Sequence, residues 1–227
     1  MGTTNVRAEE LNYHQTAEQY DQEIIAAIPY HQELHRWICN LIQILEVGSA
    51  LDLGCGSGLT SQLLQNEFPG LQLTAVDFDE PMLDIARRRL GASVKYIQAD
   101  YSGLDLGVEK YDLVVSVIGL HHQTDAGKRK MFQRIFQCLK PGGTFLFGDL
   151  MTYRDQKIAA WNQAKHFAHL VAHATSEKML IEWAYHHLFL NLLAPVEDQM
   201  EWLEEVGFKA SIEFMHMNTA LICATKP

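Results

Sequence analysis

Short apolar runs alternate with helical patterns between residues 48 and 150, and this alternation constrains the fold more than any other feature of the chain. Parallel strands cannot be joined by a tight turn, so each pair needs a crossover, which is usually a helix. The runs that fit buried strands are Ala50–Leu53, Leu71–Val76, Val94–Ala99, Tyr111–Val117 and Thr144–Phe147. The helical patterns between them are Leu59–Glu67, Pro81–Leu90 and Gly127–Leu139. The alternation predicts an α/β domain built on a parallel sheet.

Helical patterns also precede and follow this core. Residues 8–46 predict helices that are interrupted at Pro29. Residues 154–191 predict one or two long helices that end at Pro195. The core is therefore expected to carry helical additions at its front and after its fifth strand.

The end of the chain predicts one helix and two strands. Val196–Val206 is amphipathic, and Gly207 follows it where a left-handed helix cap is common. Ala210–Phe214 and Ala220–Thr225 predict a hairpin that turns through residues 216–219. The predicted organisation is an N-terminal helical segment (1–47), a core (48–150), a helical insertion (151–195), and a C-terminal helix and strand hairpin that complete the core (196–227).

The charge of the chain disfavours one class of partner. There are 18 Lys and Arg against 28 Asp and Glu, which gives a net charge of −10. Proteins that bind nucleic acid usually need a basic surface to displace counterions from phosphates, so no nucleic-acid partner is expected.

Cysteine usage and hydropathy point to the cytoplasm. The four cysteines are widely spaced without a C-x-x-C pair, so neither a disulfide framework nor a cysteine-rich zinc site is indicated. The first residues are polar, and no apolar run approaches the ~20 residues of a membrane span. We therefore expect a cytoplasmic protein with no secretory signal and no membrane segment.

A glycine-rich turn follows the first predicted strand. Residues Asp52–Gly58 have the sequence D-L-G-C-G-S-G, in which the glycines let the backbone approach a ligand and the next helix offers unpaired N–H groups. Asp77 ends the second predicted strand 19 residues after Gly58, where a carboxylate can accept both hydroxyls of a ribose. The third glycine of the dinucleotide fingerprint would fall at Leu59, so a nicotinamide cofactor is the weaker candidate.

In these motifs the chain resembles the class I S-adenosylmethionine-dependent methyltransferases of the small-molecule type. The resemblance extends from about Leu51 to the C-terminus. The matching segments, in the family's order, are Asp52–Gly58, Val76–Asp79 with Pro81–Leu83, Gln98–Tyr101, Leu139–Gly143 and Glu205–Phe208. The resemblance implies a Rossmann-like, seven-stranded α/β sheet whose last strand is antiparallel, with helices on both faces, an N-terminal helical segment and a helical lid after strand five.

The same resemblance implies S-adenosyl-L-methionine as the cofactor. Its first motif would hold the methionine part, Asp77 the ribose and Asp100 the adenine amino group. The candidate cofactor residues are Asp52, Gly54, Cys55, Gly56, Gly58, Asp77, Phe78, Met82, Asp100, Tyr101, Ser116 and Tyr20. From the residues alone, Asp100 could instead cap a turn and Asp52 could order the loop. Cys55 is interpreted as a small filler and not a nucleophile, because no base is placed beside it.

The candidate catalytic residues are His121, His122 and Asp149. In the resembled family the end of strand four faces the transferable methyl group, and the N-P-P-Y or D-P-P-Y tetrad of many amine methylating members is absent here. The histidine pair stands in its place, and imidazole is suited to removing a proton near neutral pH. The alternatives are that the histidines order the loop and that Asp149 caps the next helix.

Three tyrosines are further candidates. Tyr153 is predicted either to contact the acceptor or to cap the next helix. Tyr13 and Tyr20 are predicted either to close over the cofactor or to pack one face of an amphipathic helix.

The insertion 151–195 differs from the other segments in charge, because its net charge is +1 and it holds five of the 11 histidines. His166, His169 and His173 share one helix face. No carboxylate lies on that face, so no metal is expected, and a polar face toward solvent or an anionic substrate is favoured. The expected partner is a small-molecule methyl acceptor that is flat and neutral or mildly anionic, methylated at oxygen, carbon or nitrogen.

Other functions remain as alternatives. The layout is similar to the carboxy-S-adenosylmethionine synthases of tRNA modification, but these use an arginine in the last helix where this chain has Trp202. A tRNA-modification enzyme is opposed by the charge, and the basic runs Arg87–Arg89 and Lys128–Lys130 are interpreted as solvated helix faces. A non-catalytic S-adenosylmethionine-binding protein and a homodimer are left open.

Overall fold

The computed structural model describes residues 17–227, in which one sheet lies between layers of helices. The strands are β1 Ser49–Leu53, β2 Gln72–Asp77, β3 Lys95–Gln98, β4 Tyr111–Val117, β5 Leu139–Leu150, β6 Lys209–His216 and β7 Thr219–Thr225. The helices are α1 Ala17–Ala27, α2 His31–Ile42, α3 Leu59–Glu67, α4 Glu80–Leu90, α5 Asp125–Cys138, α6 Gln156–His173, α7 Glu177–Tyr185 and α8 Val196–Val206. A 3-10 turn at Leu120–His122 follows β4, and a π-helical turn at His186–Leu190 follows α7.

The seven strands lie in the order β3-β2-β1-β4-β5-β7-β6. The first five are parallel, with crossovers through α3, α4 and α5. Strand β7 is antiparallel to both of its neighbours, which allows a short turn at Met217 to join β6 to β7. The predicted seven-stranded α/β sheet with an antiparallel last strand is therefore confirmed.

Strand β5 extends beyond the predicted Thr144–Phe147 at both ends, because Leu139 pairs with Tyr111 of β4 at its start and β7 continues the pairing as far as Leu150. At the start, the N–H of Gly142 donates to the carbonyl of Lys226 at 2.9 Å. At the other end, Asp149 is paired with Ala220 and lies within the strand, whereas the sequence placed it just past the strand. The longer strand carries this carboxylate to the carboxyl edge of the sheet.

Helices α2, α3 and α4 cover one face of the sheet, and α5 and α8 cover the other. On the first face, Leu34 of α2 and Leu83 of α4 are fully buried. On the second face, the rings of Phe145 and Phe147 stack with centroids 5.5 Å apart, and Phe132 of α5 packs edge-on to Phe147. None of the helices in residues 17–227 has the combined length and hydrophobicity of a membrane-spanning segment.

The insertion after β5 leaves the sheet and returns to it at one place. The N–H of Thr152 donates to the carbonyl of Ala194 at 3.0 Å, and the N–H of Val196 donates to the carbonyl of Thr152 at 2.9 Å. Arg154 adds an ion pair to Glu201 of α8 at 2.5 Å. Between these ends, α6 and α7 pack against α1 through Ala27, Leu170 and Met179.

Leu34→Ala should lower the free energy of unfolding by about 3 kcal/mol, because it leaves a cavity under α2. A Cβ added to Gly148 of β5 would lie 3.0 Å from Leu34, so this helix and strand are in close contact. Urea unfolding followed by circular dichroism measures the change. Gln32→Ala, at an exposed position of α2, should change the free energy by less than about 0.5 kcal/mol. Equal effects of the two substitutions would contradict this packing.

Candidate functional site

The glycine-rich turn lies at the carboxyl end of β1 and is held by β2. The N–H groups of Gly54 and Cys55 donate to the carbonyl of Val76 at 2.8 and 3.0 Å. The N–H of Gly56 donates to the carboxylate of Asp77 at 2.8 Å. Gly54 and Gly56 have φ angles of 75° and 51°, which favour glycine. A Cβ on Gly56 would meet no atom within 4 Å, so the turn borders open space.

Two buried carboxylates stand beside this turn. Asp52 is 1% exposed and accepts the hydroxyl of Ser61 at 2.7 Å. Burial raises the pKa of Asp52 to about 7 against the lowering effect of the Ser61 hydroxyl. Asp77 also accepts the N–H of Asp79 at 3.0 Å, and burial raises the pKa of Asp77. Asp52 thus joins β1 to α3 through a hydroxyl, while Asp77 fixes the turn from the side of β2.

The predicted residues on the α4 side of the site differ in exposure. Phe78 is 56% exposed and Met82 is buried. Gly58, with φ 86°, lets α3 start against α4, because a Cβ there would lie 3.0 Å from the side chain of Leu90. Asp100, at the end of β3, is exposed and accepts the N–H of Ser102 at 2.8 Å, which is a turn-capping contact.

Two predicted residues are buried behind the glycine turn. The hydroxyl of Tyr101 donates to the carbonyl of Gly119 at 3.1 Å, and its ring would be 3.6 Å from a Cβ on Gly54. The hydroxyl of Ser116 donates to the carbonyl of Leu53 at 3.1 Å and has no exposed surface. Burial raises the pKa of the Cys55 thiol, in keeping with its interpretation as a filler. These residues shape the wall of the site.

Of the predicted tyrosines, Tyr20 and Tyr153 lie within the described residues, and Tyr13 lies outside them. Tyr20 of α1 packs against a cluster that contains Ile24 and Leu150. The hydroxyl of Tyr153 donates to the carbonyl of Met217 at 2.8 Å, whereas Asp155 caps α6. Tyr153 therefore binds the β6–β7 turn and does not cap the helix.

Arg89 is a site residue that the sequence analysis missed. The expectation of a solvated face is correct for Arg88, which is exposed, and wrong for Arg89, whose guanidinium pairs with Asp21 of α1. Arg89 also donates to the carbonyl of Ser57 at 2.8 Å. Its position three residues after the buried Ala86 places it beside the apolar face of α4, which is the signal that could have identified it.

A buried imidazole–carboxylate pair lies at the carboxyl ends of β4 and β5. His121 and Asp149 are each 1% exposed. One oxygen of Asp149 is 2.5 Å from His121 Nδ1, and the other accepts the backbone N–H of His121 at 2.9 Å. The N–H of Leu150 also donates to Asp149, at 2.8 Å. Because the carboxylate only accepts, Nδ1 carries the proton and Nε2 is left as the basic nitrogen. Asp149 therefore fixes both the loop and the tautomer of His121.

Two further imidazoles stand next to this pair. The ring of His122 is 4.0 Å from that of His121 and 5.0 Å from that of His186 in the insertion. The ring of Trp183 is 5.7 Å from His186. Burial lowers the pKa of His186 to about 4. Partial burial and the neighbouring rings of His121 and His186 lower the pKa of His122. These rings are therefore neutral at pH 7, and His122 is the exposed member.

The three histidines at helical spacing do not form the expected polar face. His166 is 2% exposed and stacks on His187 with centroids 4.1 Å apart, so of the two predicted environments, solvent and an anionic substrate, solvent is wrong for it. Burial lowers the pKa of His166 to about 3. His169 stacks on His173 at 4.0 Å, nearer the surface. Among residues 17–227, no group of three His, Cys, Asp or Glu side chains is arranged to hold a metal ion.

Lys128 is a further residue whose predicted solvation is wrong. It is 1% exposed, and its ammonium donates to the carbonyl of Gln123 at 2.6 Å and to that of Leu192 at 2.5 Å. The N–H of Leu192 in turn donates to the carbonyl of His121 at 2.8 Å. Lys128 precedes the buried Met131 by three residues and so continues the apolar stripe of α5, which is the signal for its burial.

Comparison with known proteins identifies a family. A family model described as a methyltransferase domain matches residues 50–143. Trans-aconitate 2-methyltransferase of Acidovorax sp. (strain JS42) is 31% identical over 185 residues, which cover 72% of this chain and 69% of the relative. Carboxy-S-adenosyl-L-methionine synthase of Aeromonas salmonicida (strain A449) is 30% identical over 114 residues, 47% of this chain and 45% of that protein.

A solved structure shares the fold. Phosphoethanolamine N-methyltransferase 2 of Haemonchus contortus, in complex with S-adenosyl-L-methionine, superposes with a TM-score of 0.66 at 19% identity. The match covers 93% of this chain and 56% of the other. At this identity the comparison supports the fold alone.

Asp52→Asn should stabilise the protein above neutral pH. The pKa of Asp52 is about 7 in the folded state and 3.8 in the unfolded state. Because the folded state disfavours the ionised carboxylate, the free energy of unfolding of the wild type falls as pH rises from about 4 to 7 and remains low above pH 7. The amide removes this cost, which is about 4 kcal/mol. Urea unfolding at pH 5 and pH 8 measures the difference between the two proteins, which should grow with pH. The control is Asp84→Asn, whose side chain is 56% exposed; a pH-independent difference for Asp52→Asn would contradict the prediction.

Proposed function

The chain belongs to the S-adenosylmethionine-dependent methyltransferases, and on that premise we propose that it methylates a small, flat acceptor that is neutral or mildly anionic. The acceptor would lie between the loop that carries His122 and the insertion 151–195, which acts as a lid. The observation that supports this most is the group of neutral rings, His122, His186 and Trp183, that the loop and the insertion bring together at the carboxyl edge of the sheet.

The glycine turn and Asp77 fit the cofactor. The turn is free of side chains at Gly56, where a Cβ would enter open space, and its backbone is fixed by Asp77. Asp77 would hold the ribose, Asp100 the adenine, and Gly54 and Gly56 the amino-acid part. The bound cofactor supplies a methyl group on a positively charged sulfur, which is ready for in-line displacement. The protein then has to align the acceptor and exclude water.

The neutral rings at the loop favour an acceptor that carries little charge. His122 and His186 have lowered pKa values and add no positive charge at pH 7. The ammonium of Lys128 lies beneath the loop, and the nearby carboxylates of Asp149 and Asp125 offset its positive charge. The rings of His122, His186 and Trp183 are flat and uncharged, so they suit a flat aromatic acceptor better than a cationic amine. The trans-aconitate 2-methyltransferase relative acts, by its name, on a carboxylate.

His121 and Asp149 are proposed to support the transfer from behind His122. Asp149 holds His121 in one tautomer and fixes the loop through the backbone. The ring of His122 lies against that of His121, tilted by 46°, and is the exposed one, so it would contact the acceptor. With a phenol as acceptor, Nε2 of His121, whose Nδ1 is held by Asp149, would receive the departing proton; with a carboxylate, no base is needed.

Carboxy-S-adenosylmethionine synthesis is the alternative activity. It would need a cation for the extra carboxylate, and helix α8 contains no arginine. Trp202, at the position in question, is 8% exposed and packs under the guanidinium of Arg129 at 5.5 Å. Mass spectrometry of the small molecule that co-purifies with the protein separates the two activities, because the carboxylated cofactor is heavier.

The acceptor proposal predicts the outcome of a substrate screen. The screen uses radiolabelled S-adenosylmethionine with benzoic acids, phenols and benzylamines that carry the same ring substituents. The acids or the phenols should give a kcat/KM for methyl transfer at least about 10-fold higher than the amines. His122→Ala should raise KM for the preferred acceptor. A clear preference for amines would refute the proposed acceptor class, and no turnover of any small acceptor would favour a non-catalytic binding protein.

Asp149→Asn should lower kcat about 100-fold, because the amide no longer accepts from all three N–H groups and the histidine loop loses its orientation. The dissociation constant for S-adenosylhomocysteine should stay within about 3-fold, because the N–H groups that Asp149 accepts belong to His121 and Leu150 and not to the glycine turn. Single-turnover kinetics and calorimetry measure the two quantities. Asp84→Asn is the control. A normal kcat in folded Asp149→Asn would remove Asp149 and His121 from the proposed site.

A further inference from the structure

We propose that Asp21, Arg89 and Ser57 form a clamp that positions the glycine turn for the cofactor, and that Asp21 and Arg89 are positioning residues for S-adenosylmethionine binding. The clamp joins three separate elements, α1, α4 and the turn after β1. This inference rests on the proposed location of the cofactor at the glycine turn.

The three side chains form a closed ring of hydrogen bonds. One nitrogen of the Arg89 guanidinium pairs with the carboxylate of Asp21. The other donates to the carbonyl of Ser57 at 2.8 Å and contacts its hydroxyl oxygen at 3.0 Å. The hydroxyl of Ser57 donates to the remaining oxygen of Asp21 at 2.6 Å.

The ion pair in this ring is shielded from solvent. The side chains of Arg89 and Asp21 are 14% and 13% exposed, in contrast to surface pairs such as Arg36–Glu33, at 72% and 39%. Charge-assisted bonds with fixed geometry are stronger than exposed pairs, and removing one partner leaves a poorly solvated charge. Arginine suits this place because its planar guanidinium serves two acceptors at once, which an ammonium does less well.

Ser57 is the point at which the clamp acts on the site. It lies between Gly56 and Gly58, which both have left-handed φ angles and place few steric limits on the turn. From the side of β2, Asp77 holds the N–H of Gly56. From the side of α4, Arg89 holds the carbonyl of Ser57. The turn is therefore fixed from both sides.

Helix α1 extends this link toward the acceptor side. Tyr20, next to Asp21, packs with Ile24 and Ile118 near Leu150, which follows Asp149 in β5. One helix thus contacts the glycine turn through Asp21 and the ends of β4 and β5 through its apolar face. Releasing Asp21 should loosen the turn and with it the affinity for the cofactor, while the residues around His122 stay in place.

The test compares the dissociation constant for S-adenosylhomocysteine in Asp21→Asn, Arg89→Gln and the double variant by isothermal titration calorimetry. Each single variant should weaken binding about 10-fold, and the double variant should be no weaker than either single variant, because the groups act as one unit. At saturating S-adenosylmethionine, kcat should change less than about 3-fold. The matched control is Arg88→Gln, next along α4 and exposed, which should bind normally.

Further variants separate the clamp from general stability and from the cofactor site itself. Asp21→Glu keeps the charge and should recover part of the affinity for S-adenosylhomocysteine. If Asp21→Asn fails to fold, Ser57→Ala replaces it, because it removes only the hydroxyl and should give a milder loss of affinity. Unchanged binding in folded Asp21→Asn or in Ser57→Ala would overturn the clamp. If Asp77→Asn weakens binding and the clamp variants do not, only the clamp is wrong; if Asp77→Asn binds normally, the proposed cofactor site is wrong.

Discussion

The reversal of strand order between β1 and β4 is the constraint on which the rest of the structure depends. From β1 the chain proceeds outward to β2 and β3, and from β4 it proceeds the other way to β5. The connections at the carboxyl ends of β1 and β4 therefore diverge and leave a crevice between them, as in other open α/β sheets. The glycine turn follows β1 and the histidine loop follows β4. The strand order alone therefore brings the glycine turn and the histidine loop to the same edge of the sheet.

Polar groups at this edge are satisfied mainly by the protein itself. Asp77 binds the glycine turn, Asp149 binds the histidine loop, and the hydroxyl of Ser116 joins β4 to the carbonyl of Leu53 in β1. Buried polar groups without partners are costly, so each such contact limits the conformations of its loop. The edge is therefore rigid where the loops begin, and the neutral rings of His122 and His186 lie beyond this rigid part.

Local patterns predicted most of the elements, because their periodicity is a property of neighbouring residues. Tyr111–Val117 and Val196–Val206 have the predicted bounds. Strand β5 does not, because its length depends on pairing with β4 at its start and, at its end, with β7, which follows it by about 70 residues in the chain. The order of the motifs also predicted that Asp77, at the end of β2, and the histidines after β4 lie at the same edge of the sheet.

The less predictable part of the site consists of charged residues on partly apolar helix faces. Arg89 and Lys128 each stand in a run of three basic residues, and the run as a whole is typical of a solvated face. Their partners, Asp21 and the carbonyl of Leu192, are more than 60 residues away. His166 is similar, since its partner His187 belongs to another turn of the insertion. Such contacts depend on tertiary structure. From the sequence, only the burial of each residue can be predicted, and only when its place on the apolar face of its helix is considered.

The closure of the insertion at Thr152 has a consequence for how such a protein changes over time. Because the segment leaves and rejoins the sheet through hydrogen bonds between Thr152, Ala194 and Val196, its two ends are already adjacent. Residues between them can be exchanged, lengthened or shortened without altering the register of β5 and β7. Selection can therefore act on the insertion, where we propose that the acceptor binds, separately from the glycine turn, Asp77 and the sheet.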